Sequence, residues 1–212
     1  MVKKTAGRSV TEVRLVEAAA QLFSRHGYKG TSTREIASLA EVNEATLFRN
    51  FTRKTDLFLA AMESRLNRLK LGRELQQGLA TDMDPEVVVP MLVAFMVENL
   101  LKQPEVVRLL FVAGFELPGA DKIVREHLGP IFDSVSAYFC RCAARGIICD
   151  LEPAIATLGL AGAVSAHHSF LQLFTGRNLE ADPQQSAPAY AQLWLNALQQ
   201  RIPLTTAAAS RG

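Results

Sequence analysis

The chain has 212 residues, 49% of them hydrophobic, and a formal net charge of +2 at neutral pH. That length holds a small domain plus a medium one, and the apolar content supports a real core. The net charge alone does not point to nucleic acid, but its distribution does: residues 1–75 carry 14 Lys/Arg against 8 Asp/Glu, while residues 76–212 carry 9 against 13. A basic end on a mildly acidic body suits a molecule that presents one end to a polyanion.

In chain order, residues 1–8 are basic and unpatterned and read as a mobile arm. No apolar run follows them to make a secretory signal. A first helix is expected from Ser9 to His26, capped by Ser9 with Glu12 in the capping-box position, its stripe made by Val16, Ala19, Ala20 and Phe23, and stopped by Gly27. Thr33 is the expected N-cap of a short second helix carrying Ile36, Ala37 and Ala40 on one face. Glu41-Val42-Asn43 breaks that pattern, and Asn43 is placed to cap a third helix. There Leu47 and Phe51 share one side, leaving Ala45, Thr46, Arg49 and Asn50 to face outward. A fourth helix is expected from Thr52–Asp56 to about Gly78, apolar at first (Leu57, Phe58, Ala61), then charged and solvated.

Prolines partition the rest. Pro85 opens a helix ending before Pro104, with Pro90 as a candidate kink. Glu105–Leu117 forms the next, and Asp121–Arg145 a long segment bent or broken near Gly129-Pro130. Pro153–Gly176 has no formally charged residue and is long enough to span a bilayer. His167, His168, Gln172 and several Ser/Thr make it a buried helix instead. A polar loop over Arg177–Pro188 leads to a last helix, Ala189–Arg201, and the tail TTAAASRG reads as disordered. Cys140, Cys142 and Cys149 match no zinc spacing and no disulfide framework; Cys142 and Cys149 read as packed on one helical face, in a reducing cytoplasm. No strand pattern, repeat or phosphate loop is present.

Over Val10–Leu57, the pieces AAAQLFSRHGYKGTSTREIA, AEVN and ATLFRNFTRKTDLF stand in an order that resembles the DNA-binding domain of TetR/AcrR-type bacterial transcriptional regulators. The resemblance implies an all-α protein: a three-helix helix-turn-helix unit in residues 1–55 and a larger helical ligand-binding and dimerisation domain in residues 56–212. It also implies a homodimer, an operator of double-stranded DNA, and a small-molecule effector that changes the spacing of the two DNA-reading helices. By that resemblance Thr33, Phe48 and Lys54 match phosphate anchors. Phe48 stands where the family usually has Tyr, so a phenolic contact is lost.

The residues themselves add groove chemistry. Arg49 suits a guanine edge or a phosphate, Asn50 an adenine, and the Thr46 methyl a thymine methyl. Arg34, Asn43 and Ala45 complete the expected DNA surface. Glu44 sits where a negative charge faces DNA, either accepting from a cytosine amino group or stabilising the helix N-terminus.

In the regulatory half, Ile155, Gly159, Gly162, Ala163, Ala166 and Phe170 share one sector of the Pro153–Gly176 helix. Together with Leu193 and Trp194 they are expected to meet their copies across a two-fold axis; the other reading is that they only close the monomer core. Val164, His168 and Leu171, with Met91, Phe95, Phe111, Phe115, Glu116, Tyr138 and Cys142, are the candidate lining of an effector site. That set suits an apolar or aromatic ligand better than a sugar or phosphate. His168 reads equally as a ligand contact or a core histidine. No acid–base pair or nucleophile motif supports catalysis, and no cofactor, metal or membrane is expected. A constitutive DNA-binding or partner-binding dimer without a ligand is the alternative function.

Overall fold

In the computed structural model the described residues are 8–117, 120–149, 151–167 and 183–199, and all regular structure among them is helical. The order is α1 (Val10–His26), α2 (Thr33–Leu39), α3 (Glu44–Asn50), α4 (Lys54–Leu66), α5 (Arg73–Ala80), α6 (Pro85–Lys102), α7 (Glu105–Glu116), α8 (Asp121–Ala144), α9 (Pro153–Ser165) and α10 (Pro183–Gln199). Residues 1–7 of the expected basic arm, the expected tail, and His168, Phe170 and Leu171 lie outside the described residues.

Two cores organise these helices. The first is made by Leu15, Val16 and Phe23 of α1, Ile36 of α2, Leu47 of α3 and Phe58 of α4, all buried. Phe23 and Phe58 meet edge-on at 5.1 Å, and Tyr28 closes the cluster against Phe58 at 5.8 Å. This core also takes in Val106, Leu109 and Ala113 of α7. The second joins α5, α6, α8, α9 and α10 through Leu79, Val89, Val93, Tyr138, Leu160 and Leu198. Burial of such side chains contributes roughly 1.5–3 kcal/mol each.

The helix ends follow local chemistry, with one shift. Ser9 caps α1 by accepting the Glu12 N–H, while the Glu12 carboxylate faces Arg8. Gly27 ends α1 at φ +73°, a conformation that favours glycine. The cap of α2 is Ser32, not Thr33: Ser32 Oγ accepts the Glu35 N–H, and Glu35 accepts the Ser32 N–H in return. Asn43 caps α3 by accepting the Thr46 N–H at 2.7 Å. Between them Glu41 takes φ +52°, the left-handed turn that swings α3 away from α2.

Four boundaries differ from the sequence reading. The fourth helix stops at Leu66 and a new one begins at Arg73, because Arg65 is not solvated but buried, 3% exposed, among carboxylates of α1 and α7. The chain then turns so that Leu75 and Leu79 reach the second core. α8 runs unbroken through Pro130; the carbonyl that loses a partner belongs to exposed Glu126, which solvent satisfies. α9 ends at Ser165, with Ala166 and His167 in a wider turn. α10 starts at Pro183, a residue suited to a first turn, and continues through Pro188, so the expected loop is partly helix. Cys149 lies beyond the end of α8 rather than on a face shared with Cys142, its N–H donating to the Leu198 carbonyl at 2.7 Å.

Candidate nucleic-acid interface and ligand cavity

The outward edge of α2–α3 is built by elimination. Leu47 and Phe51 anchor α3 in the core, so the opposite side must face water. Asn43, Glu44, Ala45, Phe48, Arg49 and Asn50 are exposed, and Thr46 is half-buried. Arg34 is exposed on α2. The polar side chains are partly held in place: Asn50 Nδ2 donates to the Thr46 carbonyl at 2.8 Å and Arg49 Nη2 to Thr46 Oγ1 at 3.3 Å. Thr33 donates its hydroxyl to Glu44 at 2.5 Å, so the anchor and the acidic residue engage each other.

Lys54 opens α4 beside this edge. Its Nζ lies 4.4 Å from the centre of the Tyr28 ring, and burial pushes its pKa down while Glu116 and Glu35 oppose that shift. Tyr28 is fixed in turn by a 2.8 Å hydrogen bond between its hydroxyl and Thr55. Sequence reasoning passed over Arg53, which is exposed next to Lys54, its guanidinium held 2.9 Å from Asp56. Two consecutive cations at a helix start are the signal for it.

The cavity lies elsewhere, between α6, α7, α8 and α9. It has a volume of about 180 Å³ and an apolar wall including Leu92, Phe95, Met96, Phe132, Val135 and Leu160. Its polar groups are Asn99, Gln103, Thr157 and Ser165; no ionisable side chain lines it among the described residues. Asn99 Nδ2 donates to the Phe95 carbonyl at 2.7 Å, and the Thr157 hydroxyl pairs with Ser136 at 3.0 Å.

Of the expected lining, Phe95 alone among the described residues is in this wall. Phe111 and Phe115 stack on each other at 6.1 Å on the outer side of α7, because Val106, Leu109 and Ala113 form its buried face. Glu116 instead accepts the backbone N–H groups of Tyr28 and Lys29, at 3.4 and 3.0 Å, since the end of α7 abuts the α1–α2 loop. Tyr138 and Cys142 are sealed in the second core; the Tyr138 hydroxyl donates to the Met83 carbonyl at 2.7 Å, and burial pushes both groups' pKa values up. Val164 is fully buried in the same core, and Met91 packs at its edge.

The expected dimer residues divide. Ile155 and Leu193 are more than half exposed, Gly162 is exposed, and Ala163 and Ala166 are half-buried. Gly159 and Trp194 instead meet within one chain: a Cβ on Gly159 would lie 2.8 Å from the Trp194 ring, so the glycine lets α10 approach α9. Among the described residues no three His, Cys, Asp or Glu side chains gather to hold a metal ion, and no helix is long and apolar enough to cross a membrane.

Comparison with known proteins supports this geometry. The model of the bacterial regulatory proteins of the tetR family matches residues 15–61, the segment that forms α1 to α4. The HTH-type transcriptional regulator YvkB of Bacillus subtilis is 48% identical over 74 residues, 34% of this chain and 39% of its own. The HTH-type transcriptional repressor NicS of Pseudomonas putida is 30% identical over 101 residues, 47% of this chain and 46% of its own. The chain thus spans less than half the length of these two curated relatives. A crystal structure of a bacterial regulatory protein in the tetR family from Rhodococcus RHA1 superposes with a TM-score of 0.72 at 16% identity, covering 91% of this chain and 98% of that one. The capped turn and the exposed third helix fall in or next to the stretch that matches the tetR family of bacterial regulatory proteins, so the N-terminal part of this chain, residues 15–61, is similar to that family's helix-turn-helix region.

Proposed function

We propose that the chain is a ligand-responsive transcriptional repressor that binds a pseudo-palindromic operator as a homodimer and is released by a small apolar effector. The observation that carries this reading is α3, a helix capped by Asn43 and anchored by Leu47, with Ala45, Arg49 and Asn50 free to enter a major groove. Thr33, Arg53 and Lys54 flank it as phosphate contacts.

Dimerisation is supported by the apolar outer face of α9 and α10, where Ile155, Leu158 and Leu193 are 54%, 58% and 59% exposed. A two-fold pairing through this face covers them and sets two α3 helices on successive turns of one duplex. Coupling to the effector runs through α7. Val106 belongs both to the first core and to the cavity wall. At one end of α7 Glu105 pairs with Arg65 of α4, and at the other Glu116 holds the α1–α2 loop. A ligand that prefers a displaced α7 lowers DNA affinity by its difference in affinity for the two states.

An electrophoretic shift with the DNA upstream of the chain's own operon tests the reading. A shift that weakens steeply with salt is expected, and Arg49→Ala costs about 1–3 kcal/mol of affinity. No shift at low salt with any such fragment overturns it.

A further inference from the structure

Gln103, a residue of the cavity wall, has a buried side-chain oxygen that no group among the described residues satisfies. Gln103 is 8% exposed, lines the cavity, and its Oε1 makes no hydrogen bond. Gln103 ends α6, where its backbone is committed: its N–H donates to the Asn99 carbonyl at 2.9 Å, and its carbonyl accepts the Val106 N–H at 3.1 Å. Only the side-chain amide is available to a guest. A buried acceptor without a donor is costly, and a ligand N–H or O–H removes that cost.

Of the polar lining residues, Gln103 alone has a buried side-chain atom without a hydrogen bond among the described residues. Asn99 donates to its own helix, and the Thr157 hydroxyl already has Ser136. With no charged side chain among the described lining residues, an ionised ligand would lose its hydration without a counter-charge. The volume of about 180 Å³ slightly exceeds the roughly 150 Å³ of apolar cavities that take benzene.

We propose that the effector is an uncharged molecule of about one substituted ring, apolar over most of its surface, that donates a hydrogen bond to Gln103 Oε1. This rests on the ligand-responsive reading above and narrows it: carboxylates, phosphates and ammonium ions are excluded as the group seated in the cavity. Gln103 stands at the α6–α7 turn, directly before the helix that reaches the DNA-binding domain, so the bond it accepts acts where α7 begins.

The test measures binding of 4-ethylphenol, ethylbenzene and 4-ethylbenzoate to the full chain by calorimetry at neutral pH, with Gln103→Leu and Gln103→Met as variants. The natural chain is expected to bind 4-ethylphenol about tenfold more tightly than ethylbenzene, the worth of one net hydrogen bond, and to show no saturable binding of the carboxylate. Both variants are expected to retain ethylbenzene and to bring the two neutral probes within about twofold of each other. Equal affinity of phenol and hydrocarbon in the natural chain, tightest binding by the carboxylate, or unchanged discrimination in the variants overturns the proposal. So does the absence of binding by either neutral probe. The operator shift on the same preparations judges the regulator reading separately, and the ranking in the natural chain stands as a test if neither variant folds.

Discussion

Glu44 is the residue that most alters what this DNA edge can do. Its carboxylate accepts the hydroxyl of Thr33, the proposed phosphate contact, at 2.5 Å. In the proposed complex a duplex would displace that bond and approach a negative charge. Glu44→Gln is expected to raise operator affinity by about fivefold at low salt, with the gain shrinking as salt rises. Equilibrium anisotropy with a labelled operator checks this. A fall in affinity confined to certain base pairs would instead assign Glu44 to reading a cytosine amino group. The same carboxylate favours the α3 N-terminus, so the variant should lose only about 0.5 kcal/mol of stability.

Two elements hold the DNA-binding unit in shape, and they respond to different variables. The Ser32–Glu35 capping box sets where α2 starts. Backbone and side-chain hydrogen bonds from Ser32 lower the Glu35 pKa below its ordinary value. A carboxyl group whose folded pKa is depressed contributes its stability above the unfolded pKa and loses it as pH falls through the folded one. The Ser32 amide resonance should therefore titrate below the ordinary Glu range, and a midpoint at or above that range would remove the capping box from α2. α4 depends on Arg65, whose guanidinium lies 2.7 Å from Glu17 of α1 and 2.8 Å from Glu105 of α7. The Nε contact to Glu105 lacks hydrogen-bond alignment, so the Glu17 side is the tighter one. Arg65→Met leaves Glu105 without its cation and Glu17 with only the exposed Arg68, and is expected to cost about 3 kcal/mol in denaturant melts. Operator affinity measured on the folded fraction should fall as well, because this junction ties the DNA-binding helices to α7.

At the scale of the whole molecule, the proposed dimer rests on the outer face of α9 and α10. Leu158 stands on the outer face of α9 beside Gly162, which has open space around its Cα. Such a face is apolar enough to require cover, and its small residues permit a close helix approach. Leu158→Asp is expected to convert a dimer into monomers in sedimentation experiments and to reduce operator affinity by about a hundredfold, since two half-sites must be bound together. A dimer of unchanged stability would move the interface elsewhere. Val107, Leu110, Ala161 and Ser165 line both the cavity and a groove on this outer surface, so the cavity and the proposed interface share a wall.

The N-terminal unit was readable from the chain because its determinants are local. Caps, the i, i+4 pair Leu47 and Phe51, and the break at Glu41 all act within a few residues, and charge had only to be counted. Ser32 rather than Thr33 as the cap is a shift of one residue, within what adjacent hydroxyls leave open. The cavity was not readable, because periodicity marks which residues are buried but not what they meet. Phe111, Phe115 and Glu116 carry suitable side chains for a ligand site, yet α7 turns Val106, Leu109 and Ala113 inward and sends the others to the surface and to the α1–α2 loop. Arg65 reads as a solvated charge in one dimension and becomes a buried junction in three. In the N-terminal unit the helix starts, the turn and the exposed edge of α3 followed from neighbours along the chain; the cavity wall, the Arg65 junction that accompanies the early end of α4, and the Gly159–Trp194 contact arose only from packing between distant segments, where geometry rather than sequence spacing selects the partners.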